Sequence, residues 1–144
     1  FLKNERNWLY AAVCGLNVVG FAYGGVLHRL DGKEDMLYIH EVGVAGPQRR
    51  RGIGFSMMSA LLQDAGRVGI GKVFLFTDQH NVAANALYRK LGGAVAHDSG
   101  GQDTVISFNC SALLSDLQGC NGSCSEKKRK LFEIYLDNAG ASVV

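Results

Sequence analysis

The chain has 144 residues, of which 47% are apolar, and Lys plus Arg exceed Asp plus Glu by only 15 to 13. That is the length of one domain with enough apolar material for a single core, and the small positive balance excludes a generally basic nucleic-acid binder. No apolar run reaches the roughly 20 residues of a membrane span, and the opening Phe1-Leu2-Lys3-Asn4-Glu5 has neither an initiating Met nor a signal-type apolar stretch.

Trp8 to Cys14 is apolar and aromatic and predicts a strand. Gly15-Leu16-Asn17 reads as a tight turn, and Val18 to Leu27 as the partner strand of a hairpin, interrupted by Gly20, Gly24 and Gly25. Met36 to Val44 predicts a third strand; Gly43 inside it marks a bulge or a close backbone approach. After Gly46 and Pro47 come three arginines and two glycines. Then Met57, Met58, Leu61, Leu62 and Ala65 recur on one helical face, so a helix is expected from about Gly52 to Arg67. Lys72 to Thr77 reads as a short buried strand. Asn81 is placed to cap a second helix whose face carries Val82, Ala83, Ala86, Leu87 and Leu91, with Gly92 and Gly93 to stop it. Ala94 to Ala96 and Thr104 to Phe108 read as the last strands.

The expected order is therefore β-β-β-α-β-α-β-β, an α+β fold with a mixed, partly antiparallel sheet flanked by helices. The unit from Met36 to Thr77 predicts a parallel strand pair. Composition shifts after Asn109: Gly, Ser, Asn and Cys dominate up to Ser125, followed by Lys127-Lys128-Arg129-Lys130. The expected division is a domain over residues 1–110 and a tail, disordered or the start of a truncated segment, over 111–144. The Cys120-x-x-x-Cys124 spacing lacks a second ligand pair and predicts no metal site. The basic run reads as a solvated charge cluster. Reduced thiols at the four cysteines point to the cytoplasm.

The stretch Gln48-Arg49-Arg50-Arg51-Gly52-Ile53-Gly54 carries the chemistry. It lies between a strand and a helix start, where free backbone N–H groups and the positive end of the helix dipole meet. Gly52 and Gly54 let an anion approach the backbone, and arginines add forked donors. It is not a Walker loop, because no Gly-Lys-Ser/Thr follows, and not the dinucleotide fingerprint, because Met57 stands at the third glycine position. The bland reading is a basic solvated loop ahead of a glycine helix start.

Arg49-x-x-Gly52-x-Gly54, after a strand ending Val42-Gly43-Val44, resembles the acetyl-CoA signature of the GNAT superfamily of N-acetyltransferases. Asn81-x-x-Ala84-x-x-Leu87-Tyr88-x-Lys90-Leu91-Gly92 resembles that family's second cofactor helix. The resemblance covers about residues 8 to 109, and Glu41 to Gly54 looks closest to the aminoglycoside 3-N-acetyltransferase branch. One departure stands out: the family's usual N-terminal strand and two helices, which wall the acceptor site, have no counterpart ahead of Trp8, so the fold is expected to be N-terminally truncated.

The resemblance implies direct acetyl transfer from acetyl-CoA to a primary amine, on a small molecule or a lysine side chain. A bulge at Val42 to Val44, with Gly43 suited to it, would splay the strand so that the donor's arm pairs with free backbone. The N–H near Val42 would polarise the thioester carbonyl, and Arg49, Arg50, Arg51, Gly52, Ile53 and Gly54 would hold the pyrophosphate. Glu41 is implied as base, against the alternative of an inert strand carboxylate. His40 is a weaker alternative base, since strand alternation sends it to the opposite face. Tyr88 is implied as the acid that protonates the leaving thiolate, against a merely packed tyrosine. Asn81 and Ala84 would contact the cofactor, Asn81 also as a cap. The implied partners are acetyl-CoA and an amine, with no membrane, with nucleic acid disfavoured, and with a homodimer admitted by the family's habits. The alternative function is a non-catalytic acyl-CoA-binding module. Tyr135 to Ala141 resembles the opening strand of cysteine-desulfurase-like pyridoxal-phosphate enzymes, but so short a stretch predicts no binding of that cofactor.

Overall fold

The first hairpin forms where an apolar, aromatic run turns back at a backbone angle that glycine accepts. In the computed structural model of the chain, which describes residues 3–98, 101–113 and 132–135, β1 (Asn7–Cys14) and β2 (Asn17–Leu27) pair antiparallel around the turn Gly15-Leu16. Gly15 has φ +61°, the positive value required at the first central position of such a turn. β3 (Met36–Val44) returns antiparallel along β2. It leads through a short 3-10 turn at Gly46–Gln48 into α1 (Ile53–Arg67). β4 (Lys72–Asp78) comes back parallel to β3, as the strand-helix-strand pattern predicts. Then follow α2 (Val82–Lys90), β5 (Ala94–Asp98), β6 (Asp103–Asn109) and the single turn α3 (Cys110–Leu113). β6 pairs antiparallel with both β4 and β5.

The segment set apart above as a tail returns to the sheet once. β7 (Phe132–Tyr135) lies parallel to β1, in register from Tyr10↔Phe132 to Val13↔Tyr135. The sheet is therefore seven-stranded, in the order β5-β6-β4-β3-β2-β1-β7. Local composition gave no sign of this pairing, because an edge strand is defined by the partner it meets. Cys120, Cys124 and Lys127 to Lys130 lie outside the described residues.

One face of the sheet carries the core. Leu37, Ile39, Val73, Leu75, Ile106 and Phe108 share it because they are cross-strand partners, and all are buried. α1 lies over β1, β2 and β3 on this face and buries Met57, Met58, Leu61, Leu62 and Ala65, the stripe its periodicity predicts. Burial of each large side chain contributes about 1.5–3 kcal/mol. The far half of α1 is tied to the sheet by Tyr10, whose hydroxyl donates to the Asp64 carboxylate at 2.9 Å, while Arg67 donates to the same group at 3.0 Å. α2 packs on the same face, with Tyr88 edge-on to Phe108 at a ring separation of 6.2 Å. The opposite face, bearing Tyr38, Phe74 and Phe76, has neither long helix over it.

Candidate functional site

β3 and β4 are in register from Met36↔Lys72 to Ile39↔Leu75, and their pairing ends there. Beyond that point β3 continues to Val44 paired only with β2, and β4 continues to Asp78 paired only with β6. Two parallel strands thus part in mid-sheet. The gap holds a cavity of about 190 Å³, walled by His40, Glu41 and Val42 on one side and Phe76, Thr77 and Asp78 on the other. Asn81 and Tyr88 of α2 close its helix side. Backbone polar groups on the parted edges lack a strand partner across the gap, so an extended polar ligand fits there.

The parting coincides with a register shift between β2 and β3. Tyr23 faces Glu41 and Gly24 faces Ile39, so His40 is the extra residue of a bulge. A Cβ on Gly24 would lie 2.2 Å from the Tyr38 carbonyl oxygen and 3.1 Å from the Ile39 Cα. Gly24 is therefore the glycine this close approach needs. The expectation of a bulge at Gly43 is corrected: Gly43 pairs regularly with Phe21, and its missing Cβ makes room for the Phe21 ring, whose edge would stand 2.9 Å away. The expectation that His40 and Glu41 point to opposite faces is corrected too. One inserted residue flips the alternation, so Leu37, Ile39, Val42 and Val44 are buried on the core side. His40 stacks on Tyr23, and Glu41 faces Tyr23 across the strands, which places both on the open side.

The arginine turn stands at the same end of the sheet, since α1 follows β3 and α2 follows β4 in a parallel pair. Gly52 caps α1 with φ +87° and offers no side-chain acceptor, and the first turn of α1 has no acidic residue. Arg50 also has a left-handed φ, +67°, uncommon for a residue with a Cβ. Left-handed residues ahead of a helix are the backbone setting in which anion-binding nests form. Arg49, Arg50 and Arg51 are exposed, and none makes an ion pair with a carboxylate among the described residues. These residues do not line the cavity itself, and neither do Gly43, Val44 or Ala84; Val44, Ile53, Gly54 and Ala84 are buried.

Asn81 caps α2, its side-chain oxygen accepting the Ala84 N–H at 3.1 Å. Tyr88 sits two turns further along the same helix face, 2% exposed, and burial pushes its phenol well above the usual tyrosine range. It therefore holds its proton throughout the neutral range. Lys90, from the same motif, places its ammonium 4.9 Å from the centre of the Phe55 ring on α1, joining the two helices by a cation–π contact.

Sequence reasoning named Glu41, Val42, Asn81 and Tyr88, which the fold gathers around the cavity. It missed the β4 wall. Thr77 was the available signal: it alternates with Val73 and Leu75 on the buried face, and a polar residue at a core position commonly borders a cavity or a partner. No helix among the described residues is long and apolar enough to cross a membrane.

The sequence profile of the acetyltransferase (GNAT) family matches residues 2–93. No curated protein matches by sequence at a significant level. Among solved structures, Arabidopsis thaliana NAA60 in complex with a bisubstrate analogue is similar, with TM-score 0.57 and 18% identity over 65% of this chain and 66% of that one. Arabidopsis thaliana Naa50 in complex with the bisubstrate analogue CoA-Ac-MVNAL has TM-score 0.55 and 23% identity over 64% and 66% of the two chains. The ribosomal-protein-S18-alanine N-acetyltransferase from Escherichia coli has TM-score 0.57 and 22% identity over 72% and 68%. The match thus spans 66% of the length of each Arabidopsis protein, a little under two thirds.

Proposed function

The chain belongs to the acetyltransferase (GNAT) family, and on that premise we propose that it transfers an acetyl group from acetyl-CoA to a primary amine, of a small molecule or a lysine side chain, by direct attack. The observation that carries this reading is the parting of β3 from β4, with Glu41 and Tyr88 on its walls. We assign the donor-binding domain to residues 1–110, with 111–144 as a C-terminal segment.

The donor's extended arm pairs with the free edge of β3, and the Val42 region supplies an N–H to the thioester oxygen, where negative charge develops during attack. Arg49 to Gly54 bind the pyrophosphate through backbone N–H groups and guanidinium forks. The acceptor arrives as an ammonium, because an alkyl amine has a pKa of about 10.4. Glu41 takes its proton, directly or through a water, and the freed nitrogen forms its bond to the acetyl carbon. The C–S bond breaks, the departing thiolate takes the proton that Tyr88 has kept, and the second proton of the acylated nitrogen passes, directly or through water, to the Tyr88 phenolate, leaving a neutral amide, free thiol and a restored phenol. Asn81 holds the start of α2 and borders the donor's cavity, while Ala84, buried and with its N–H taken by Asn81, makes no contact with the donor.

A second reading, a non-catalytic acyl-CoA-binding module, is favoured by the open sheet face, where a wall for the acceptor is lacking among the described residues. The two readings separate experimentally. Thermal unfolding with acetyl-CoA at 100 times its Kd should show about 2.7 kcal/mol of added stability. Mass spectrometry across an amine panel should then show acetylated product. Binding without product selects the module; no stabilisation refutes both. Charge reversal at Arg51 (Arg51→Glu) should weaken donor binding with little change in the unliganded melt.

Acetyl-CoA and an amine are the proposed partners; nucleic acid is not among them, because the arginine turn is committed to the donor's phosphates. A homodimer is tested by sedimentation. A cytoplasmic setting is supported by Cys14 and the buried Cys110 being unbridged.

A further inference from the structure

We propose that the acceptor is an aryl-alkylamine, bound with its ring on the aromatic stripe of the open sheet face and its amine in the gap between β3 and β4. This deepens the acetyl-transfer reading and rests on it.

The stripe is continuous across three strands. The Tyr23 ring stacks on His40 at 5.6 Å, His40 meets Tyr38 edge-on at 4.5 Å, and Tyr38 stacks on Phe74 at 5.1 Å and meets Phe76 at 5.7 Å. These are the separations of mutually attractive aromatic pairs. His40 is exposed and Phe76 is 55% exposed, so the stripe offers ring surface to an incoming ligand. Both α1 and α2 lie on the other face.

The stripe runs directly into the proposed reaction site. His40 and Phe76 belong to the stripe and also line the cavity, one on each side of the gap. The remaining lining splits between the faces: Ile39, Val42 and Leu75 belong to the core side, so the gap passes through the sheet. A donor entering from the helix side and an acceptor entering from the ring side meet head-on, the alignment direct attack requires. The bulge makes this possible, because it brings His40 to the same face as Glu41.

Charge sorts the acceptor's two ends. Glu41 and Asp78 stand at the gap and attract an ammonium. The stripe of Tyr23, Tyr38, His40, Phe74 and Phe76 carries no carboxylate, so it suits a flat apolar body.

The test uses the full chain with saturating acetyl-CoA and compares 2-phenylethylamine with hexylamine. The expected result is a KM about tenfold lower for the aryl amine. In Phe76→Leu and in His40→Leu the ratio of the two amines' KM values should fall to about one. A second readout is independent of turnover: 2-phenylethanol, which cannot be acetylated at nitrogen, should shift the His40 ring resonances by NMR, and Phe76→Leu should abolish the shift. Equal KM for both amines, with acetyl transfer intact, overturns the aryl assignment and leaves the transferase standing. Ring contact without any donor binding removes the transferase reading and keeps the surface. A dimer in sedimentation that Phe76→Glu dissociates overturns the proposal, since the face would then be an interface between copies.

Discussion

Gly24→Ala is expected to do disproportionate damage for a single added methyl. The new Cβ would lie 2.2 Å from the Tyr38 carbonyl oxygen and 3.1 Å from the Ile39 Cα. Both obstacles are backbone, so no rotamer change relieves them, and β2 and β3 must move apart by roughly 1 Å at the bulge. Overpacking of this kind costs about 1–3 kcal/mol, and the upper part of that range applies because a strand rather than a side chain has to yield. At about 2–4 °C per kcal/mol for a chain near 150 residues, Tm should fall by roughly 4–12 °C. Two neighbours calibrate the effect. Gly25→Ala adds a methyl whose nearest contact is Asn7 Oδ1 at 3.7 Å, and it should stay within about 0.5 kcal/mol of the parent. Gly43→Ala meets only the edge of the half-buried Phe21 ring at 2.9 Å, which can swing outward, so it should cost less than about 1.5 kcal/mol. Urea unfolding of the three variants, with the m-value checked for constancy, measures all of these. Equal losses at Gly24 and Gly43 would refute the placement of the bulge at His40.

Three further outcomes follow from the site and the core. Tyr88→Phe removes only the hydroxyl, so kcat should fall about 10²-fold or more while the acetyl-CoA-induced Tm shift persists; unchanged kcat would remove Tyr88 from proton transfer. Asn81→Ala should cost about 1 kcal/mol by uncapping α2, and Asn81→Ser should restore the stability; if acetyl-CoA affinity stays low in the Ser variant, as measured by calorimetry, Asn81 also faces the donor. Burial raises the Cys110 thiol from 9.0 to about 11 in the folded state. Below pH 9 both states keep the proton and the contribution is intact; above it the unfolded chain ionises first, so stability declines from about pH 9 to 11. Denaturation across that window should show a shallower decline in Cys110→Ala than in the parent, and parallel curves would mean that Cys110 does not contribute.

Much of the architecture was legible in order and periodicity. The apolar stripe Met57-Met58-Leu61-Leu62-Ala65 defined α1, and the Asn81 cap with Gly92 bounded α2, because helix faces and caps are local features read from residues a few positions apart. β3 has its expected limits, and β4 and β6 extend by one residue or one at each end. Gly52, with φ +87°, marked the arginine turn for the same local reason, since glycine accepts a left-handed backbone at no steric cost.

The sequence by itself determined the element order, the helix caps, the arginine turn and the pair Glu41 and Tyr88 as candidates for base and acid. Only the tertiary structure decided which faces they share. Strand alternation has a period of two, so one bulged residue reverses every later side chain, and whether a bulge exists depends on how the neighbouring strand pairs. That is why His40 was assigned to the wrong face and why Gly24, on another strand, was the glycine that mattered. The parting of β3 from β4 after Ile39 and Leu75, the β4 wall of Phe76, Thr77 and Asp78, and the return of Phe132–Tyr135 to the edge of β1 are likewise contacts between segments distant in sequence. No local pattern encodes them, because each exists only when two backbones meet.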